Sequence, residues 1–183
     1  MNYWKRIQLE NIDIIKSKIL SYVETKTTLL DKRKFRGSFI PINHEELLDN
    51  VPELIEAFKP YNLTISFCGF YLMWNNLDAM PHIDFQHEDI VNNARVNIPV
   101  LNCENTFTVF YENAETRLLV LPTGMGYHPV INKDYYEVTR VEIIEPTILK
   151  VSSAHSVIMD EKQSPRITLT IGFEAGIDQL LEN

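Results

Sequence analysis

The chain has 183 residues, 45% of them hydrophobic, 23% charged and 10% aromatic, which suits one domain with a sizeable core and excludes wholesale disorder. Against 25 Asp and Glu stand 17 Lys and Arg, and the resulting net charge of −8 argues against a protein that grips duplex nucleic acid by neutralising phosphates. No apolar run approaches the roughly 20 residues of a membrane-spanning helix, the N-terminal MNYWKRIQLENIDIIKSK breaks any leader-like region with charge, and two cysteines are too few for a disulfide framework, so a cytoplasmic protein is the expectation.

From Leu9 to Val23 the apolar residues Leu9, Ile12, Ile15, Ile19, Tyr22 and Val23 recur at steps of three and four, the stripe of an amphipathic helix that starts near Asn11 or Asp13. The stretch 31–36 holds Lys32, Arg33, Lys34 and Arg36, either a solvated loop or a basic patch facing a substrate. A second helical region begins at Asn43, where Asn43 and Glu46 have capping-box spacing. It carries Leu47, Leu48, Val51, Leu54, Ile55 and Phe58, and Pro52 requires a new first turn after Asn50. After Pro60 the texture changes to short runs rich in Val, Ile, Thr, Phe and Tyr, separated by Asn, Asp, Gly and Pro. Strands are predicted at 63–74, 95–101, 106–111, 117–121, 138–144, 147–151 and 166–173, with a closing helical turn near 177–181. A helical preface followed by this many strands predicts a mostly β sandwich or jelly roll with helices packed on one sheet.

The chemistry concentrates in three places. In Pro81-His82-Ile83-Asp84-Phe85, a strand would project His82 and Asp84 from one face, giving a divalent metal two neighbouring ligands. His155 lies among small residues in Ser152-Ser153-Ala154-His155-Ser156. Eleven positions later Arg166 opens an apolar strand, with Thr168 on the same face. A guanidinium and a hydroxyl on one face of a buried strand need an anionic partner, and a carboxylate matches the guanidinium fork.

His-x-Asp, a distant His, then Arg-x-Thr resembles the Fe(II)/2-oxoglutarate-dependent dioxygenases over roughly residues 63 to 173. The resemblance implies a double-stranded β-helix over 61–175, with 1–60 as a helical part packing on the sheet of a single domain spanning 1–183. It implies His82, Asp84 and His155 as the iron ligands of a facial triad with three open positions. Arg166 would pair with the distal carboxylate of 2-oxoglutarate, and Thr168 would add a hydroxyl bond. Dioxygen is the further cosubstrate, and hydroxylation is the default outcome. Halogenation is disfavoured, since Asp84 stands where halogenases need a small residue.

Arg95-Val96-Asn97-Ile98-Pro99 is similar to the Arg-x-His-x-Pro strand of the aspartyl/asparaginyl β-hydroxylase branch, and prolyl hydroxylase-like members have comparable strands. That likeness implies a cosubstrate role for Arg95 and for Asn97, which departs from the branch's His. Arg95 also reads as a strand-start residue paired with a surface acid. On the strand leading into the metal motif, Tyr71 and then Trp74 are candidates to stack on or hydrogen-bond to a bound organic acid, and both also read as core aromatics. His87 would lie near the metal, His128 in a Gly-flanked loop bordering the pocket, and His44 at a helix start; Cys68 and Cys103 read as small buried residues.

The substrate expected is an amino acid, a peptide side chain or another small molecule, with no membrane and no duplex nucleic acid as partner, and the oligomeric state is open. Two rival readings remain. One is a non-oxidative cupin-type isomerase or lyase, which would have no use for the Arg166 and Thr168 anchor. The other is a non-catalytic β-sandwich binding module, against which four intact candidate residues count.

Overall fold

Apolar residues at every second position dominate the chain beyond Pro60, and a computed structural model of the protein folds that region into two antiparallel sheets facing one another as a jelly roll. The structure describes residues 2–26, 37–74, 80–84, 93–120, 126–159 and 165–182. In chain order the strands are β1 (Trp4–Arg6), β2 (Gly37–Ile42), β3 (Ile65–Met73), β4 (His82–Asp84), β5 (Arg95–Leu101), β6 (Thr106–Glu112), β7 (Leu119–Val120), β8 (Gly126–Pro129), β9 (Tyr136–Glu142), β10 (Thr147–Leu149), β11 (His155–Met159) and β12 (Arg166–Phe173). The helices are α1 (Ile12–Thr25), α2 (His44–Asn50), α3 (Glu53–Phe58) and α4 (Gln179–Glu182), with a 3-10 turn at Lys59–Tyr61. Among the described residues no helix is long and apolar enough to cross a membrane.

The first sheet runs β1-β10-β5-β12-β3-β2 and the second β7-β8-β4-β11-β6-β9. The principal core lies outside the two-sheet interior, between the first sheet and the helices. Ile15, Ile19, Tyr22 and Val23 of α1, Leu47 of α2, and Leu54, Ala57 and Phe58 of α3 all pack there. They meet Cys68, Phe70 and Leu72 of β3, Val96 and Ile98 of β5, Ile148 of β10, and Ile167, Leu169 and Ile171 of β12. Phe58 meets Phe173 edge-on at 5.0 Å between ring centroids. Because side chains alternate across a strand, the intervening residues of the same strands face the other sheet. Those are Phe67, Gly69 and Tyr71, then Arg95 and Asn97, then Arg166, Thr168 and Thr170, a largely polar lining.

Asn43 caps α2 by accepting a hydrogen bond from the Glu46 amide at 3.2 Å. Among the described residues the reciprocal half of the capping box is absent, and the Glu46 carboxylate pairs with Lys26, the residue that follows α1. Pro52 sits at the start of α3 with a φ of −62°, the new first turn that the sequence required. The segment read as a helical preface also supplies β1 and β2, which are the two edge strands of the first sheet. Pro41 lies in β2, and an edge is the place where a strand tolerates proline. Of the strand predicted at 117–121, residues Leu119–Val120 form one and residue 121 lies outside the described residues; β10 stops at Leu149, and His155, read as lying just after a strand, begins one. The basic stretch 31–36 lies outside the described residues.

The orientation of the helical layer is open to test by unfolding. Leu169 is fully buried against the helices, whereas Ile55, one of the apolar residues of the second helical region, is 43% exposed on α3. Leu169→Ala should lower stability by about 2–5 kcal/mol, and Ile55→Ala should stay within about 0.5 kcal/mol, both by equilibrium urea denaturation.

Candidate functional site

His82 and Asp84 share one face of β4 by the strand period of two, as the sequence reading expects. His155 opens β11, the strand beside β4, directly across from His82. One ligand atom from each of His82, Asp84 and His155 can be chosen so that all lie within 4.8 Å of one another, a group that could hold a metal ion. The two imidazoles are fixed in the same way. His82 Nδ1 is 2.7 Å from the Met80 carbonyl oxygen and His155 Nδ1 is 2.9 Å from that of Ser153. A carbonyl only accepts, so both Nδ1 atoms carry the proton, and in the neutral ring each Nε2 is left with a lone pair for a metal. Those Nε2 atoms lie 3.5 Å and 3.6 Å from Asp84 Oδ1. The other carboxylate oxygen, Oδ2, is taken by Arg95 Nη1 at 3.0 Å.

The charges follow from this arrangement. Burial opposes ionisation of Asp84, but the hydrogen bond from His82 and the charge of Arg95 outweigh it and hold the carboxyl well below the usual range. Burial also opposes charge on His82, yet its hydrogen bond to Asp84, that carboxylate's charge and the Met80 carbonyl carry its pKa above the ordinary value. His155 goes the other way: burial lowers its pKa to about 4, with the attraction of Asp84 only partly offsetting it. At neutral pH the site therefore holds an ionised carboxylate and a neutral His155, both in the form a metal requires.

Across the interior, Arg166 is buried to 1% exposure. Its Nε donates to Thr106 Oγ1 at 3.0 Å, while Nη1 has no hydrogen-bond partner among the described residues. Its guanidinium carbon lies 6.0 Å from the centroid of the Tyr71 ring. Thr168 is fully buried on the same face, 3.7 Å from Cys103 Sγ through its hydroxyl. Burial pushes the Tyr71 hydroxyl up to about 12, opposed by Arg166 and reinforced by Asp84. A buried guanidinium with an unused donor costs several kcal/mol unless something anionic meets it.

The structure thus gathers His82, Asp84 and His155, sets Arg95 against Asp84, and groups Arg166, Thr168 and Tyr71 on the facing sheet. Arg95 meets the site's own carboxylate, Asp84, through Nη1. Asn97 faces the interior with its Oδ1 buried and without a hydrogen-bond partner among the described residues. Trp74, just past β3, is buried. His128 pairs in register with Ile83 and so projects from the face opposite His82 and Asp84. His44 is the first residue of α2, far along the chain from the motif, and His87 lies outside the described residues. Both cysteines are buried free thiols. Sequence reasoning passed over Thr106, although Thr106 and Thr108 alternate with Phe107 and Val109 and so mark a polar inner face on β6.

No family profile and no curated protein matches the chain. Solved structures do match its fold. A prolyl-4-hydroxylase of Pseudomonas putida aligns over 94% of this chain and 92% of its own, at 13% identity and a TM-score of 0.51. The epimerase SnoN, in complex with Fe3+, alpha-ketoglutarate and nogalamycin RO, aligns over 93% of this chain and 78% of its own, at 11% identity and a TM-score of 0.56. A prolyl hydroxylase of Trichoplax adhaerens, in complex with a hypoxia-inducible-factor peptide fragment, covers 94% of this chain and 84% of its own, at 13% identity and a TM-score of 0.53. The likeness is one of fold, the jelly roll of the 2-oxoglutarate-dependent oxygenases.

The titration of the site sets a pH dependence in protein freed of metal by a chelator. Asp84, depressed when folded, adds stability that is complete above its unfolded pKa of about 3.9 and is lost as pH falls below it. His155, depressed to about 4, acts in the same direction: from about pH 6.5 down to 4 only the unfolded chain takes up its proton, so stability falls as pH falls. His82, raised when folded, has the opposite sign: its contribution is present below about pH 6.5 and fades as pH rises through the folded value. Stability by urea denaturation should therefore fall with acidification between about pH 6.5 and 4, with a slope approaching about 1.4 kcal/mol per pH unit from His155. His155→Gln should flatten that slope.

Proposed function

We propose that the protein is a single-domain, cytoplasmic Fe(II)- and 2-oxoglutarate-dependent dioxygenase that hydroxylates an amino acid, a peptide side chain or another small molecule. The observation that carries the reading is the pairing of two features in one interior. Two imidazole Nε2 atoms and a carboxylate converge on one sheet, and on the other lies a buried guanidinium whose Nη1 has no partner among the described residues. Two His and one carboxylate suit Fe(II) and leave coordination positions open. The cupin-type and binding-module readings offer no occupant for Arg166.

His82, Asp84 and His155 would hold the iron, oriented by the Met80 and Ser153 carbonyls. Arg166 Nη1 would bond the distal carboxylate of 2-oxoglutarate, with Thr168 donating its hydroxyl and the Tyr71 ring forming a wall. When bound, iron, 2-oxoglutarate and dioxygen together supply oxidative decarboxylation to succinate and carbon dioxide, with oxidation of a substrate C–H bond. The protein's own part is placement and the exclusion of water. Buried Met73, Val157 and Met159, with half-buried Tyr71 packed against them, form an apolar cluster in the same interior. A hydroxylase outcome fits the two prolyl hydroxylases of like fold, and a peptide substrate fits the one bound to a peptide. Two buried free thiols suit a reducing compartment.

Purified protein given Fe(II), 2-oxoglutarate and oxygen should form succinate, and a panel of amino acids and peptides should include one that gains one oxygen atom by mass spectrometry. His82→Ala, Asp84→Ala and His155→Ala should each abolish succinate formation while retaining the wild-type circular dichroism spectrum; turnover in any of them would remove that residue from the triad. Arg166→Lys keeps the charge and loses the fork. It should weaken 2-oxoglutarate roughly 10- to 100-fold by calorimetry on the Mn(II) form, the loss of a charge-assisted hydrogen bond, and leave Mn(II) affinity unchanged.

A further inference from the structure

We propose that Arg95 is a positioning residue of the site, clamping Asp84 as a one-oxygen ligand, and that it does not bind the cosubstrate; this rests on the reading that His82, Asp84 and His155 hold a metal. The two oxygens of Asp84 have different occupations. Oδ1 faces the two Nε2 atoms, and Oδ2 is held by Arg95 Nη1 at 3.0 Å. Chelation of a metal through both oxygens would break that ion pair. With it intact, the protein supplies three donor atoms and the remaining positions stay open to other ligands.

The guanidinium is itself seated. It lies over the Phe67 ring, 5.2 Å from the centroid. Phe67 stacks on Phe39 of β2, with centroids 5.5 Å apart and planes at 23°. Phe39 in turn occupies the space above Gly69, where a Cβ would run into its ring. Glycine at 69 thus makes room for a stack that runs from the edge strand inward: Phe39, Phe67, Arg95, Asp84. Arg95 is carried by β5 of the first sheet and Asp84 by β4 of the second, so the clamp also spans the interior. Arg166 Nη1, on the same sheet, has no hydrogen-bond partner among the described residues and can meet an incoming carboxylate.

The test is a titration of chelator-treated protein with Co(II), followed by its visible d–d absorption, for wild type, Arg95→Met, Arg95→Lys and Phe67→Leu. Arg95→Met should weaken Co(II) about 10- to 100-fold, the usual cost of losing a partner that orients a ligand. It should also alter the d–d intensity, because Asp84 becomes free to chelate. Arg95→Lys should recover most of the affinity. Phe67→Leu, which leaves both charges in place, should weaken Co(II) about 3- to 10-fold and keeps the test alive if Arg95→Met does not fold. The affinity of each Co(II)-saturated protein for 2-oxoglutarate should stay within about threefold of wild type. The clamp is overturned if Arg95→Met leaves Co(II) affinity and spectrum unchanged, or if the loss falls on 2-oxoglutarate alone, which would make Arg95 a cosubstrate anchor. Co(II) binding and spectrum that survive Asp84→Ala would instead overturn the metal-site reading, and the clamp with it.

Discussion

Strand β12 is buried along its whole length, and its two faces meet opposite demands. Ile167, Leu169, Ile171 and Phe173 fill the core beneath the helices, while Arg166, Thr168 and Thr170 line the space between the sheets. The rest of the structure depends on that division. The helical layer supplies the apolar burial that a fold of this size needs, so the two-sheet interior is relieved of packing duty and can carry polar groups. Burying Arg166 there is unfavourable unless an anion meets it. Among the described residues, that unmet requirement is the strongest pointer to a ligand.

The same interior shows how a site can be built by convergence. His82, Asp84 and His155 come from neighbouring strands of one sheet, and Arg95 and Arg166 come from the other. Two polar contacts, Arg95 to Asp84 and Arg166 to Thr106, tie the sheets together across the gap. Each imidazole is oriented by a carbonyl two residues before it in the chain, so ligand direction is set locally while ligand proximity is set by strand pairing.

Much of this was legible in the sequence wherever a local rule decides the outcome. The period of two placed His82 with Asp84 and Arg166 with Thr168, and the bounds of β5 and β12 match those expected. Asn43 announced the start of α2 through its cap. What stayed hidden depends on partners far along the chain. The edge strands β1 and β2 are short or contain proline, and they form because the first sheet offers them free edges. Arg95 gave no sign that Asp84, on the opposite sheet, is its partner. Nor does anything local reveal that Gly69 makes space for Phe39. Ile55 stood among the apolar residues of the second helical region, yet the face that α3 buries is set by Leu54, Ala57 and Phe58.

The central claim is that iron held by His82, Asp84 and His155 shares the interior with a 2-oxoglutarate anchored by Arg166. Anaerobic absorption spectroscopy tests it most directly, because Fe(II) chelated by a 2-oxo acid produces a visible metal-to-ligand charge-transfer band. Adding 2-oxoglutarate to the Fe(II)-loaded protein without oxygen should develop that band and saturate it at one equivalent per iron. Tight binding of Fe(II) with no band at any 2-oxoglutarate concentration would contradict the account and leave a metal protein of different chemistry.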